Sequence, residues 1–125
     1  MIEVSLKHQL PELSIDVEFA SSSRCLALFG DSGAGKTTIL NAIAGLLNVQ
    51  RGRIVLDERV VLDRAGHVDV APRDLEVGYV FQDGRLFPHM NVRANLSYAA
   101  NARKRIGREF DHVVELLELG PLLRR

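Results

Sequence analysis

The chain has 125 residues, 16 basic and 16 acidic side chains and 46% hydrophobic residues, a composition typical of one folded domain or part of one. It excludes a disordered tail, and the zero formal net charge gives no global attraction to nucleic acid or acidic lipid. The apolar runs are shorter than the ~18 residues of a membrane span, and the start lacks a signal-peptide pattern. We therefore expect a cytoplasmic chain without a nucleic-acid partner.

The first thirty residues predict three strands. Apolar and polar residues alternate over residues 2–6 and 13–17, with Pro11 between them, which indicates two half-buried strands. Residues 25–29 form a continuous apolar run, typical of a strand covered on both faces. We expect that run to be central in a parallel sheet, and Cys25 to be a small buried hydrophobe.

A glycine-rich loop and a helix follow this third strand. Residues 30–35 carry too much glycine for a helix or a strand, and residues 37–47 place apolar side chains at helical spacing. Further along, residues 53–56 and 60–62 flank the polar residues 57–59, which predicts an antiparallel hairpin. Residues 63–72 contain Gly66 and Pro72 and predict a loop.

The last third of the chain predicts one more buried strand and two helices. The apolar run 77–81 ends at Gln82 and places that side chain at the tip of a strand. Asn91 can cap a helix through about residue 99, and residues 109–119 form an amphipathic helix with Gly120 as its stop signal. The basic run at residues 103–105 is typical of a solvated surface, and we assign it no function.

The glycine-rich loop carries the strongest chemical signal in the chain. It matches the phosphate-loop pattern G-x-x-x-x-G-K-[ST] at every fixed position, and a chance match is expected in on the order of 0.4% of chains of this length. Its residues are Gly30, Asp31, Ser32, Gly33, Ala34, Gly35, Lys36 and Thr37.

Each part of this pattern has a chemical reason. The glycines let successive backbone N–H groups point at phosphate oxygens, beside the positive end of the next helix. Lys36 is predicted to reach the β- and γ-phosphates, and the Thr37 hydroxyl to coordinate Mg²⁺. Thr38 is placed to approach the α-phosphate. We therefore predict ATP and Mg²⁺ as ligands of residues 30–38.

Residues 30–38, together with residues 80–83 and 86–89, resemble the nucleotide-binding domain of an ABC transporter. Gln82 then matches the Q-loop glutamine of that family. The resemblance implies that Gln82 is a catalytic residue that contacts Mg²⁺ or its water near the γ-phosphate, and that it links this site to transmembrane subunits. A side-chain amide offers the neutral oxygen that such a contact needs.

Residues 78–83, 85–89 and 92–96 are most similar to the ATPase subunits of molybdate importers. The resemblance implies ATP hydrolysis that drives uptake of molybdate or a related oxyanion, with importers of sulfate, polyamine or iron as alternatives. It implies a peripheral location at the cytoplasmic face of the cell membrane. It further implies a permease partner that contacts residues 82–90, and a homodimer of ATPase subunits.

The fold implied by the resemblance is α/β. It combines a partial P-loop NTPase core, which contains a parallel sheet, with an N-terminal antiparallel β subdomain and the start of a helical subdomain. After Gln82 the sequence contains no Leu-Ser-Gly-Gly signature and no apolar strand ending in Asp-Glu. Residues 1–125 therefore correspond to the N-terminal portion of such a domain, and we expect Mg²⁺-ATP binding without hydrolysis by this chain alone.

Three further features bear on this interpretation. Residues 1–18 contain no aromatic side chain to stack on adenine, and only His8 offers a flat ring there. Asp57 and Glu58 follow a short apolar run and could instead be a Walker B pair of a compact kinase or GTPase, although the hairpin interpretation is favoured. A non-enzymatic nucleotide-binding or interaction module is a further alternative. The four histidines show no metal-ligand spacing.

Overall fold

The structure is a computed structural model that describes residues 1–102 and 108–125, with side chains for 1–98 and 110–125. The chain divides into two compact units, Met1–Tyr79 and Val80–Arg125. Short 3₁₀ turns lie at Pro72–Asp74 and Gly120–Leu122. The strands and helices are β1 (Ile2–Gln9), β2 (Ser14–Ser21), α1 (Lys36–Ile43), β3 (Arg51–Leu56), β4 (Arg59–Asp63), β5 (Val68–Asp69), α2 (Val92–Ala102) and α3 (Arg108–Leu116).

The first unit is built on a five-stranded antiparallel sheet in the order β2-β1-β3-β4-β5. β1 lies inside this sheet, since Val4 is opposite Phe19 of β2 and Ile54 of β3. Alternation along β1 buries Val4 and Leu6 and exposes Ser5, as expected for strands with one face on a core. The prediction of two half-buried strands at the start is confirmed, and both are longer than predicted.

The core of the first unit joins helix α1 to the sheet. α1 contributes Ile39 and Ala42, which lie three residues apart and therefore on one helix face. This packing holds the start of α1 in a fixed position on the unit. The buried members of the cluster are Val4, Leu6, Ile15, Ile39, Ala42, Val49, Ile54, Val61, Leu62 and Leu75.

Helix α1 ends four residues before the predicted Leu47. Gly45 has a φ of 69°, the left-handed conformation that favours glycine. Its N–H donates to the Ala42 carbonyl at 3.1 Å, and the Leu46 N–H donates to the Asn41 carbonyl at 2.8 Å, which together form a Schellman motif. Leu47 still packs against the core, but from the loop after the helix. The apolar side chain of Leu47 therefore indicates a position packed on the core, and not a position within the helix.

The prediction of buried strands at residues 25–29 and 77–81 is wrong for this structure. Neither segment is paired in the sheet that the described residues form. Cys25 is exposed rather than buried, Phe29 is fully exposed and Val80 is 95% exposed. A strand covered on both faces needs neighbouring strands and covering helices, and the described part of the chain supplies neither for these segments.

The second unit contains α2 and α3. The Asn91 side-chain oxygen accepts the Ala94 N–H at 2.8 Å, so the predicted N-cap of α2 is confirmed. α2 starts against the end of the unit, because the N–H groups of Val92 and Arg93 donate to carbonyls of residues 125 and 123 at 2.9 and 3.1 Å.

Helix α3 ends earlier than predicted, and the residue that ends it is not the predicted Gly120. Glu118 has a φ of 52°, and the Leu119 N–H donates to the Val114 carbonyl at 2.9 Å, so the helix closes before Gly120. Its predicted apolar face is largely open to solvent, since Val113 is 40% and Leu117 is 59% exposed. The basic run 103–105 lies outside the described residues.

Candidate functional site

The glycine-rich loop forms a turn that leads directly into helix α1. The Ala34 N–H donates to the Asp31 carbonyl at 3.2 Å, and Gly33 and Gly35 have φ values of 84° and 90°. These left-handed conformations strain any residue with a Cβ atom. The loop backbone therefore requires glycine at Gly35, a fixed position of the motif, and at Gly33, a position that the motif leaves open.

Gly35 is also required by close packing. A Cβ atom built on it would lie 3.0 Å from Ile15 Cδ1 and 3.1 Å from Leu13 Cδ2. By contrast, a Cβ atom on Gly33 would meet nothing within 4 Å, so that position faces open space. The loop thus rests on the β1–β2 hairpin at Gly35 and leaves its other side accessible to a ligand.

The start of helix α1 presents unpaired donors. Gly35 is its N-cap and provides no side-chain hydrogen bond, and no acidic residue lies in the first turn. Within the described residues, the backbone N–H groups of Lys36, Thr37 and Thr38 have no partner, whereas the Ile39 N–H donates to the Gly35 carbonyl at 2.9 Å. Three free N–H groups at the positive end of a helix dipole can bind an anion.

The Lys36 ammonium lies over the loop. It donates to the carbonyl oxygens of Gly30 and Asp31 at 2.8 and 2.6 Å. Both contacts are exposed, so the ammonium can exchange these carbonyls for phosphate oxygens at small cost in solvation. The charge needed to neutralise a polyphosphate is therefore already at the loop.

The donor set of this loop fits both ligands that the sequence predicts. N–H groups and an ammonium suit a polyphosphate. Thr37 is exposed at the second helical position and offers a hydroxyl oxygen, the hard donor type that Mg²⁺ prefers.

Gln82 lies in the second unit, in an exposed bend at residues 82–83. The Arg85 guanidinium stacks on the Phe81 ring at 4.3 Å from its centroid, and this contact closes the short loop that carries Gln82. The amide of Gln82 has no hydrogen-bond partner in the described part of the chain. Its approach to the phosphate loop stays a prediction.

Comparison with known proteins decides between the families that could use such a loop. The model of the "ABC transporter" family matches residues 14–125. The chain belongs to the ABC transporter family. Membership makes its fold that of a P-loop NTPase, of which the antiparallel sheet and three helices are the described part.

Three relatives of this ABC transporter chain share one name. The chain is 43% identical to the "Molybdenum import ATP-binding protein ModC" of Rhodospirillum rubrum and 44% identical to that of Yersinia pestis. Both comparisons cover 100% of this chain and 34% of the relative. A ModC protein of Mesorhizobium japonicum is 42% identical over 99% of the chain. The chain thus spans about a third of the length of these relatives.

Asp57 and Glu58 occupy a hairpin turn in this ABC transporter chain, as the favoured interpretation predicts. They connect β3 to β4 with φ values of 46° and 68°, the conformation of a type I′ turn. The Met1 ammonium lies 2.7 Å from the Asp57 carboxylate, and this hydrogen-bonded charge pair holds the pKa of Asp57 below its ordinary value. The pair does not follow a parallel strand, so a Walker B role for it has no support here.

One polar contact in the first unit has no counterpart in the sequence predictions. The Tyr79 hydroxyl donates to the Asn41 side-chain oxygen at 2.7 Å, between two half-buried residues. Its only sequence signal is a polar group inside an otherwise apolar run.

The described residues contain no group of three or more His, Cys, Asp or Glu side chains placed to hold a metal ion together. No helix among them has the length and apolar character to cross a membrane.

Proposed function

We propose that this chain is the phosphate-binding portion of the ATP-binding subunit of an ABC importer, and that it binds Mg²⁺-ATP through residues 30–38. The observation that carries this proposal is the set of three unpaired N–H groups at Lys36, Thr37 and Thr38, beside the Lys36 ammonium. Bound Mg²⁺ supplies charge neutralisation of the phosphates. The chain's own groups hold the polyphosphate, with Lys36 at the β- and γ-phosphates and the Thr37 hydroxyl and Gln82 amide toward the metal.

We further propose molybdate, or a related oxyanion, as the imported substrate. The support is the name that these relatives share, since they match across the whole chain at about 43% identity. Importers of other substrates remain the second candidate, because the cargo is bound by other parts of such a complex. We infer that the chain belongs to a peripheral subunit at the cytoplasmic face of a cell membrane.

The proposed permease contact lies at residues 82–90, and the local structure supports it. Asn95 of α2 fixes this loop, because its side chain accepts the Phe87 N–H at 2.7 Å and donates to the Met90 carbonyl at 3.0 Å. Leu86, in the fixed loop, is 70% exposed. An ordered loop that presents an apolar side chain is suited to docking a partner helix. A second copy of the subunit is the other proposed partner.

The finer architecture also belongs to this proposal. We infer that α2 and α3 begin the helical subdomain of the whole subunit. The chain contains no identified general base and no signature sequence. Phosphoryl transfer depends on positioning the metal and the attacking water, so we expect binding of Mg²⁺-ATP without turnover.

Titration calorimetry of Mg²⁺-ATP on the parent chain and on Lys36→Ala tests the proposed binding, with phosphate release assayed on the same samples. The charge-assisted contacts of Lys36 predict a loss of about 10-fold to 100-fold in affinity. Lys7→Ala is the matched control, since Lys7 pairs with Asp16 at 2.8 Å and is expected to leave binding unchanged. Equal affinity in the parent and Lys36→Ala would contradict the proposed site.

Phosphate release in the same assay tests the alternative. Release that depends on Lys36 would mean that a base exists within these residues. Glu58→Gln would then be the next variant, because Glu58 is the acidic residue that the Walker B interpretation names. We expect no release from the parent and no effect of Glu58→Gln on binding.

A further inference from the structure

Gly35 is the buried residue of the phosphate loop, whereas residues 29–34 are all exposed. The Lys36 ammonium binds the carbonyls of Gly30 and Asp31, and these contacts hold the loop to helix α1. They do not fix it to the sheet. The position of the loop on the first unit therefore depends on the surface against which Gly35 packs.

That surface consists of two side chains of the β1–β2 hairpin. A Cβ atom on Gly35 would lie 3.1 Å from Leu13 Cδ2, and 3.0 Å and 3.2 Å from the Cδ1 and Cγ1 atoms of Ile15, so both side chains lie directly against the glycine. Ile15 is 4% exposed and belongs to the buried core, whereas Leu13 is half-buried and packs against that core from outside. Leu13 can therefore be changed without removing a member of the buried core.

Backbone hydrogen bonds fix the position of Leu13. The Leu10 N–H donates to the Leu13 carbonyl at 2.8 Å, and the Leu13 N–H donates to the Leu10 carbonyl at 3.4 Å. Just before this turn, the Gln50 side chain accepts the Gln9 N–H at 3.0 Å and donates to the Gln9 carbonyl at 3.4 Å. Leu13 thus supports Gly35 from a hydrogen-bonded backbone.

The first turn of α1 is held at both of its ends. The Ile39 N–H donates to the Gly35 carbonyl at 2.9 Å, and Ile39 is 8% exposed within the core. The unpaired N–H groups of residues 36–38 lie between these two buried residues. Donors that are already ordered bind an anion more tightly than donors that lose conformational entropy on binding.

We propose that Leu13 is a positioning residue of the phosphate-binding site. Its side chain supports Gly35 and keeps the N–H groups of residues 36–38 directed at the phosphates. In this role Leu13 acts through Gly35 and does not itself contact the phosphates. The inference rests on the proposed function of residues 30–38.

This role predicts a loss of phosphate binding that does not depend on the base. Leu13→Ala should lower the affinities for Mg²⁺-ATP and for Mg²⁺-tripolyphosphate by the same factor, about threefold to tenfold, which corresponds to one weakened hydrogen bond. Leu13→Met keeps the apolar volume and should stay within about twofold of the parent.

Val17→Ala is the matched control. Val17 is four residues beyond Leu13, hence on the same side of the strand, and it packs against the same core. Its truncation should lower stability and leave both affinities unchanged.

A double-mutant cycle tests the contact with Gly35 directly. Gly35→Ala adds a Cβ atom that meets Leu13, at a φ of 90°, and should lower both affinities. Leu13→Ala removes the Cδ2 atom, so Gly35→Ala should reduce affinity less in that background than in the parent.

Titration calorimetry on the full chain measures these affinities, at a temperature where circular dichroism shows each variant folded. Leu13→Val removes a smaller group and replaces Leu13→Ala if that variant does not fold, with a loss of both affinities expected. The positioning role is overturned by an unchanged tripolyphosphate affinity in the Leu13 variant, by an equal loss in Val17→Ala, or by additive effects in the cycle. A loss for ATP alone also overturns it, because Leu13 would then act on the base.

Lys36→Ala in the same series separates this inference from the proposed function. Binding that depends on Lys36 but not on Leu13 overturns the positioning role alone. Binding that does not depend on Lys36 overturns the proposed function, and the positioning role with it.

Discussion

The turn residue Glu58 holds a backbone conformation that its side chain disfavours. Its φ of 68° lies in the left-handed region, and glycine is preferred there in a type I′ turn. We predict that Glu58→Gly raises the free energy of unfolding by about 1 kcal/mol. Urea denaturation measures this change. Glu12→Gly, in a bend between β1 and β2, is the control, and a destabilised Glu58→Gly would contradict the turn geometry.

The neighbouring residue Asp57 adds a pH dependence to stability. The Met1 ammonium lowers the pKa of the Asp57 carboxyl in the folded chain. The pair therefore contributes stability above the unfolded pKa of about 3.9, and this contribution is lost as pH falls through the lowered folded pKa. We expect acidification to lower the Tm of the parent more than that of Asp57→Asn, as measured by circular dichroism. Parallel acid profiles would show that the pair has no such effect.

At the scale of single residues, the sequence predicts the functional features that neighbouring residues in the chain form together. Gly30, Gly35 and Lys36 are identified from their spacing alone, because a phosphate loop is one continuous segment. Asn41 and Tyr79 are 38 positions apart in the chain, so no local sequence pattern predicts the hydrogen bond between them. This hydrogen bond can be predicted only when the packing of helix α1 is known.

Arg64 links the segment after helix α1 to the sheet. Its guanidinium donates to the Val49 carbonyl at 2.9 Å, to Asp69 at 2.8 Å and to the Asn48 side chain at 2.6 Å. The Arg64 side chain is 25% exposed, and its bond to the Val49 carbonyl is partly buried, whereas the bonds to Asp69 and Asn48 are exposed. The planar fork of arginine makes all three together, which an ammonium cannot do.

We predict that Arg64→Lys lowers the free energy of unfolding by about 1–3 kcal/mol, because the two freed acceptors lose charged partners. Chemical denaturation gives the value. Arg73→Lys serves as the control, since Arg73 is 86% exposed and lies 3.6 Å from Asp74, and its change should stay within about 0.5 kcal/mol. Equal effects in the two variants would refute the proposed link.

The sequence predicts which helices and strands form better than it predicts the residues at which they end. β1, β2, the β3–β4 hairpin and the three helices all occur where periodicity places them. The predicted ends of α1 and α3 lie too far along the chain, because apolar Leu47 and Leu119 follow Gly45 and Glu118, where the backbone has already left the helix. The segments 25–29 and 77–81 have the composition of buried strands, but composition does not provide the strands that would pair with them.

At the scale of the whole molecule, unpaired apolar segments predict association. Phe29 and Val80 are almost completely exposed, and such side chains favour burial against another surface. We expect the parent to form oligomers at micromolar concentration, and Phe29→Asp with Val80→Asp to shift it toward monomer. Light scattering after size-exclusion chromatography measures this. Ser22→Asp with Ser23→Asp controls for added charge, and a monomeric parent would contradict the prediction.

The division into two units also gives the chain a natural pair of optical reporters. It contains no tryptophan and two tyrosines, and Tyr79 closes the first unit while Tyr98 lies in the second. Removing one phenol therefore leaves ultraviolet emission from one unit only. Melting curves of Tyr79→Phe and Tyr98→Phe, recorded by intrinsic fluorescence, would show whether sheet and helices lose structure in one transition or in two.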